Sequence, residues 1–378
     1  MGNQTVAGFT VLTDDNVKNI LARLTLTDVS ALAHELKSAF RAFSVEGESQ
    51  YQLHRTGFTR PSGQTTLFMP SSLPSGVAMK ILAPPRPGSQ ARLRGALVVC
   101  DDEGKCTGIV NSAEFTGFRT ALGAMLLFES RRRAKRLVMF GAGKQAFWHI
   151  RLALILRSEE VQLITVYAPV AARVHQMIDD LREFDEKSSF KVMDKVAFDV
   201  IDPTDSSSQD HLRDALEKAD AIFCATPAKS PLFPAEWLLN LKEAPYISAI
   251  GSYKLDMGEL DTELLRNYAT RAAGAQHPVL ESEVPLGLVV VDSREAAALE
   301  SGEIVASKLP AENLPEIGEL VDVLRKSQTL FKSSLRAWLE TGPVIYKSVG
   351  LGIMDLAMGQ AIIRLARQNE VGTFLEEF

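Results

Sequence analysis

Apolar residues recur at helical spacing over TDDNVKNILARL (13–24) and TDVSALAHELKSAFRAF (27–43), and each run opens on a capping Thr or Asp. The pattern predicts two amphipathic helices. Short β-rich runs follow at TTLFMP (65–70), AMKILAP (78–84) and ARLRGALVVCDD (91–102), separated by the turn clusters PSSLPSG and PPRPGS, which together predict a small sheet. After the hairpin-like DDEGKCTG, the segment SAEFTGFRTALGAMLLFESRRRAKR places Phe115, Phe118, Leu122, Met125 and Leu126 on one helical face. Its basic run RRRAKR (131–136) is expected in the last turn, where cations offset the negative end of the helix dipole.

From Arg136 the pattern changes to apolar strands alternating with helices. RLVMFGAG is followed by a helix from 144 to about 157, QLITVYAP by one near 171–184, and VAFDVID by one at 210–218; AIFCATP, YISAIGS and LVVVDS complete the series. Fully apolar strands between helices predict a parallel sheet covered on both faces, hence a doubly wound α/β domain. The helical LPEIGELVDVLRK (314–326) and the stretch VIYKSVGLGIMDLAMGQAIIRLARQ (344–368) are more like the N-terminal third than the central run of strands and helices.

The 378 residues, 46% hydrophobic and 23% charged, suit a soluble globular chain with room for two domains. No run approaches the roughly 18 apolar residues of a membrane helix. The start MGNQTVAGFT has neither a basic segment nor an apolar signal core, so a cytoplasmic protein is expected. MGNQTV is similar to a myristoylation site, but Val6 stands where Ser or Thr is needed, and that reading is set aside. A net charge of −6 argues against a nucleic-acid partner. Cys100, Cys106 and Cys224 are too few and too irregular for a disulfide framework or a CxxC site and are read as buried free thiols. The six histidines show no ligand spacing, so no metal is expected.

The chemistry concentrates in GAGKQA. Gly141 follows an apolar strand, Gly143 opens a helix and Ala146 takes the place of a third glycine. These are the conditions of a dinucleotide turn: Gly141 permits the tight turn, Gly143 lets the backbone reach a pyrophosphate, and the helix N-terminus offers N–H groups to the anion. Gly141, Ala142, Gly143, Lys144 and Gln145 are therefore cofactor candidates, the alternative being a strand–helix turn without a ligand. An acid at the end of the next strand would select NAD, a nearby basic residue NADP. That strand ends at Tyr167, Ala168 and Pro169, and Arg173 lies a few residues on. NADP(H) is thus favoured over NAD(H), although a solvated helix arginine explains Arg173 equally well. Thr226 in AIFCATP and Ser252 in ISAIGS are further cofactor candidates.

YQLHRT, FMPSS, AMKIL, FRTALGA, GAGKQA, ISAIGS with GELD, VVDSREAAALESGEI, EIGEL and YKSVG occur in this order from about Tyr51 to the last helix. In order and approximate spacing the chain resembles the ornithine cyclodeaminase and mu-crystallin family. The resemblance implies a Rossmann domain (131–327) beside a substrate-binding and dimerisation domain made from both chain ends (1–130 with 328–378), and a homodimer. It implies that Arg55, Lys80 and Arg119 hold a substrate carboxylate and help place the nicotinamide, a task suited to a bidentate guanidinium. Lys80 lies inside an apolar strand, where a lysine needs a reason. Arg119 lies in the first turns of a helix, where a nearby anion would resolve an unfavourable dipole. Thr116 and Thr120 would be cofactor or phosphate donors, and Lys347 and Ser348 match a loop that closes over the nicotinamide.

Where cyclodeaminases carry two proton-managing carboxylates, this chain has Leu67 and Tyr253. Leucine cannot titrate, so amine elimination is disfavoured. An anion clamp, a nicotinamide and a proton donor in Lys80 or Tyr253 suit hydride delivery to a C=N bond beside a carboxylate. The expectation is an NAD(P)H-dependent reductase of a cyclic imine or ketimine carboxylate, of pyrroline- or piperideine-carboxylate type. The alternatives are a lyase converting ornithine to proline and ammonia, with Asp256 replacing a missing acid, an amino-acid dehydrogenase, and a catalytically idle nucleotide- or ligand-binding protein.

Overall fold

The computed structural model describes residues 8–86, 93–269, 287–326 and 330–376, with the side chains of 330–334 left aside. The MGNQTV start, the end of the PPRPGS turn, the first residues of the run at Ala91, and His277 lie outside the described residues. Two compact units emerge, Met1–Arg119 with Leu351–Phe378, and Thr120–Gly350.

The first unit holds strands β1 (Phe9–Leu12), β2 (Thr56–Thr59), β3 (Thr65–Leu73), β4 (Gly76–Ala83), β5 (Arg94–Cys100) and β6 (Cys106–Asn111). The second holds β7 (Arg136–Phe140), β8 (Leu163–Tyr167), β9 (Ala197–Ile201), β10 (Ala221–Cys224), β11 (Tyr246–Ala249), β12 (Leu288–Val291) and β13 (Val344–Lys347), after which β14 (Thr373–Leu375) returns to the first.

The first sheet has the order β14-β1-β6-β5-β4-β3-β2, antiparallel except between β1 and β6. The two N-terminal helices expected from periodicity run over Asp14–Ala22 and Leu26–Val45, each closed by a capping box, Thr13 with Asn16 and Thr25 with Asp28. The helix Gly352–Gln368 packs on Leu26–Val45 and on the core face of β3, β4 and β5. It lies close: a Cβ at Gly359 would meet the Leu97 side chain at 2.7 Å. Strand β4 alternates, with Gly76, Ala78 and Lys80 turned to the core and Val77, Met79 and Ile81 exposed. Period two therefore points Lys80 inward, between its register partners Met69 on β3 and Leu97 on β5.

The second sheet is wholly parallel in the order β12-β13-β11-β10-β7-β8-β9. The order reverses between β7 and β10, the switch point at which doubly wound sheets take ligands. Its strands are buried as the apolar runs require, Val138, Phe140, Ile222, Cys224, Ile247 and Val289 forming one cluster.

Two expectations need correction. The helix carrying Arg119 spans Ser112–Phe128 and has no basic residue in its last turn. The Arg run lies beyond it and anchors the N-terminal ends of the strands instead. Buried Arg131 donates to the carbonyls of Leu339 (3.0 Å), Gly342 (2.8 Å) and Ala244 (2.7 Å), and Arg133 pairs with Asp220 at 2.8 Å. Asp220 in turn accepts from the Lys135 and Arg136 amides where β7 begins. Secondly, VIYK forms β13, inserted between β11 and β12 with all four side chains buried. The second unit consequently extends to Gly350, past the expected boundary at 327, and starts at Thr120 instead of 131. Among the described residues no helix is long and apolar enough to cross a membrane.

Candidate active site

Three of the expected cations converge in the first unit. Lys80 on β4 is fully buried, and its Nζ lies 2.8 Å from Asp355 Oδ1 and 2.7 Å from Oδ2. Asp355, also fully buried, belongs to the first turn of Gly352–Gln368. Arg119 Nε lies 3.0 Å from Asp355 Oδ1 but off the hydrogen-bonding direction, so that contact is electrostatic. Its Nη1 is turned to the Met354 sulfur at 3.2 Å, a weak acceptor. Arg119 sits two turns into its helix, beyond the reach of the dipole, so burial creates its need for an anion. Half-buried Arg55 adds its charge to the field at Lys80.

Two buried cations thus share one carboxylate, which leaves positive charge uncompensated. Burial, followed by the like charge of Arg119, pulls Lys80 down to about 7 against the opposing attraction of Asp355, and Arg55 pulls the same way as Arg119. A lysine in this state exchanges its proton near neutrality. The cluster can accept a carboxylate and supply a proton beside it.

In the second unit the GAGKQA turn joins β7 to the helix Lys144–Leu156. Gly141 has φ +112°, and a Cβ there would lie 2.9 Å from the Ala225 carbonyl oxygen, so the fold itself demands glycine. Gly143 is different. Its backbone is extended (φ −105°, ψ −171°), which any residue adopts, and a Cβ added there meets no protein atom within 4 Å. Gly143 is also the N-cap and provides no side-chain hydrogen bond to the helix. Open space over an uncapped helix N-terminus fits a dinucleotide pyrophosphate.

A pair of substitutions separates these two roles. Gly143→Ala is expected to change stability by less than about 0.5 kcal/mol yet weaken NADPH or NADH binding tenfold or more. Gly141→Ala should cost roughly 1–3 kcal/mol of stability. Denaturant midpoints and nucleotide fluorescence titration give both values; unchanged nucleotide affinity in Gly143→Ala would refute the ligand role of the turn.

The loops after β10, β11, β12 and β13 are pinned by three buried acids that the sequence reading did not single out. Glu259 accepts from the Thr226 amide (2.7 Å) and hydroxyl (3.0 Å) and from the Gly251 amide (2.6 Å). Burial raises it to about 7, with Lys347 opposing and Glu303 reinforcing the rise. Glu303 accepts from the Ser252 hydroxyl (2.8 Å), the Leu260 amide (2.9 Å) and Lys347 (2.8 Å). Burial pushes Glu303 upward too, but Lys347 and these hydrogen bonds prevail and hold it below the usual carboxylate range. Asp292 accepts from the Ser348 hydroxyl (2.6 Å) and the amides of Val349 (3.1 Å) and Gly350 (2.7 Å).

The side chains of Thr226, Ser252, Lys347 and Ser348 are accordingly engaged inside the second unit and shape its loops. The Lys347 amine, fully buried, also donates to the Ser252 carbonyl at 2.7 Å, so its head is not turned outward to a ligand. Tyr167 ends β8 with its carbonyl accepting from the Gly141 amide at 2.9 Å. Arg173 is exposed in the first turn of Ala171–Lys187. Thr116 and Thr120, one turn apart on Ser112–Phe128, are buried. Tyr253 is half-buried in the second unit, its ring 5.8 Å from the Lys254 amine. Leu67 faces Leu82 across β3 and β4. Asp256 is exposed and pairs with Lys229 at 2.8 Å, which holds it below its ordinary value.

The first unit is a mixed sheet that buries a cationic cluster under a helix, and the second is a Rossmann-type doubly wound unit with an open glycine turn. That combination defines a two-unit α/β protein of the dinucleotide-binding class. No family model matches the chain. It is 27% identical over 387 residues to the uncharacterized protein YGL159W of Saccharomyces cerevisiae, covering 95% of this chain and 98% of that one. It is 27% identical over 266 residues to a Delta(1)-pyrroline-2-carboxylate reductase of Colwellia psychrerythraea, 69% of each. A shorter stretch of 126 residues, 32% of each chain, is 32% identical to ketimine reductase mu-crystallin of Macropus fuliginosus. The fold is shared with the Thermococcus litoralis Delta(1)-pyrroline-2-carboxylate reductase solved with NADH and L-proline, at TM-score 0.71 and 19% identity over 96% of this chain and 99% of that one. In sequence and fold the chain is similar to members of the ornithine cyclodeaminase and mu-crystallin family.

Proposed function

We propose that the protein is an NAD(P)H-dependent oxidoreductase that reduces the C=N bond of a small imine or ketimine carboxylate, of pyrroline- or piperideine-carboxylate type. The observation that carries this reading is the buried Lys80–Asp355–Arg119 cluster, in which two cations share one anion and the lysine titrates near neutrality. The names of the reductases among the relatives support it.

Arg119 and Arg55 hold the substrate carboxylate, and Asp355 fixes the two inner cations. An arriving carboxylate raises Lys80 back toward its charged form, so binding itself loads the proton donor. Lys80 then protonates the imine nitrogen, which makes the neighbouring carbon electrophilic. Gly141–Gly143 and the helix that follows would hold the pyrophosphate of a reduced nicotinamide cofactor, which would supply the hydride. We favour NADPH over NADH, because no acid ends β8 and exposed Arg173 stands shortly after it.

The lyase alternative loses its substitute acid, since Asp256 is a solvated, ion-paired carboxylate. We further propose a homodimer built on the outer face of the first sheet. Met79 and Ile81 on β4 and Phe58 on β2 are exposed there, and the Phe58 and Phe68 rings lie tilted to one another with centroids 6.2 Å apart.

Absorbance at 340 nm with each substrate tests the reading. NADPH should be consumed stoichiometrically with a cyclic imine carboxylate and without added ammonia, by a particle of twice 41.4 kDa in light scattering. Ammonia release from ornithine without net cofactor use would establish the lyase. Consumption only with a keto acid plus ammonia would establish the dehydrogenase, and tight NADPH binding without turnover the idle protein.

A further inference from the structure

The segment Ala225–Thr226, which follows β10, forms a wall of the glycine turn. A Cβ at Gly141 would meet the Ala225 carbonyl oxygen at 2.9 Å and the Thr226 methyl at 3.6 Å. The loop after β11 presses on the same segment from elsewhere, since a Cβ at Gly251 would come within 2.1 Å of the Thr226 carbonyl oxygen and 2.3 Å of its nitrogen. Glu259, fully buried, joins the two loops. Its Oε1 takes the Thr226 amide and hydroxyl, and its Oε2 takes the Gly251 amide. Ionised, the carboxylate accepts all three donors in charge-assisted bonds. Protonated, it turns a donor into a ring of donors, and its hold on them weakens.

On the reading of GAGKQA as a dinucleotide turn, we propose that Glu259 is a positioning residue for the cofactor: as a carboxylate it locks Thr226 and Gly251 together beside the turn, and its protonation loosens that wall and weakens dinucleotide binding. Among the described residues, the titratable groups that face it are Glu303 on the helix Gly302–Ser307, Lys347 on β13 and Cys224 on β10. Burial, the largest effect, raises Glu259 to about 7, while Lys347 favours its charged form and Glu303 opposes it. Glu303 is held below the usual carboxylate range and so stays ionised across that change. Of the three cysteines expected to be buried thiols only Cys224 is buried, Cys100 and Cys106 being half-exposed, and burial keeps Cys224 neutral by pushing it well above the ordinary thiol range. The sign of the effect is diagnostic. By Coulomb attraction alone, acidification adds positive charge and tightens the hold on an anionic dinucleotide, whereas the brace requires the opposite.

Fluorescence titration of the whole protein with NADH, which has no 2′-phosphate to titrate, tests the brace without any imine. Wild-type Kd should rise about tenfold from pH 8 to pH 6, because one pH unit below about 7 only roughly one molecule in eleven keeps the carboxylate. Glu259→Gln should bind NADH about tenfold more weakly than wild type at pH 8, with a Kd constant to within about twofold down to pH 6. A merely structural Glu259 would lower the number of NADH sites per chain in Glu259→Gln and leave Kd and its pH slope as in wild type, which would overturn the proposal. A wild-type Kd that is flat or falls on acidification would overturn it too, with the dinucleotide turn left standing. NADH binding at no pH would overturn the turn and the brace together. The wild-type profile decides even where Glu259→Gln fails to fold.

Discussion

Replacing Lys80 with methionine is expected to lower imine reduction by about 10²–10⁴-fold, the usual contribution of a positioned proton donor. Methionine keeps the length and apolar stem of lysine and deletes only the amine. Asp355 is then left opposite Arg119, one charge against one, so the interior remains balanced. Stability should hold or rise below pH 10. The sign follows from Lys80 falling to about 7 when folded, against an ordinary 10.5. Between those values the unfolded chain binds more protons, so stability rises with pH across that window, and the buried lysine is costly at its acid end. The same shift sets the pH dependence of wild-type catalysis. Only the protonated amine donates, so kcat/KM should fall as pH rises beyond about 7. That limb should vanish in Lys80→Met. A profile that is flat from pH 6 to 9, or a variant within threefold of wild type, would remove Lys80 from the chemistry.

Why Lys80 was legible in the sequence and its partner was not is a matter of local contrast. A lysine between Met79 and Ile81 in a strand of period two has to point inward or outward, and either choice has consequences. An acid in IMDLAMGQAII sits in a helix where one polar position per turn is ordinary, so nothing local marks Asp355. Only the packing of that helix on β4 shows otherwise. The glycine turn was readable because φ and close approach are local demands. Its two glycines proved to serve different masters, Gly141 the protein and Gly143 open space. Thr226, Ser252, Lys347 and Ser348 were read as cofactor contacts from motif position alone. Their partners Glu259, Glu303 and Asp292 lie 33 to 56 residues away inside other motifs, and no local pattern reveals such pairings. The strand VIYK was missed for a related reason: four residues are too few to carry a period, and the helix behind them dominates the window.

Asp355→Ala is expected to be the most damaging single substitution to the first unit, at about 3–5 kcal/mol, because it removes the counter-charge and leaves its partners buried. Lys80 is fully buried and Arg119 is 4% exposed, so neither can turn to water without opening the sheet–helix interface. The protein has one internal escape, which is to discharge the lysine. Without the attraction of Asp355, the falling limb of kcat/KM should move to the acid side of about 7 in whatever fraction remains folded. A merely structural role for Asp355 would lower activity without moving that limb. Asp355→Asn retains shape and one acceptor oxygen and should fall between wild type and Asp355→Ala. Because the cost arises from orphaned cations, Lys80→Met combined with Asp355→Asn should be less destabilised than the sum of the two single changes, as a double-mutant cycle measures. Millimolar formate, a carboxylate small enough for the vacated space, should raise the melting temperature of Asp355→Ala more than that of wild type. Strict additivity, together with no response to formate, would mean that the three charges do not act as a unit.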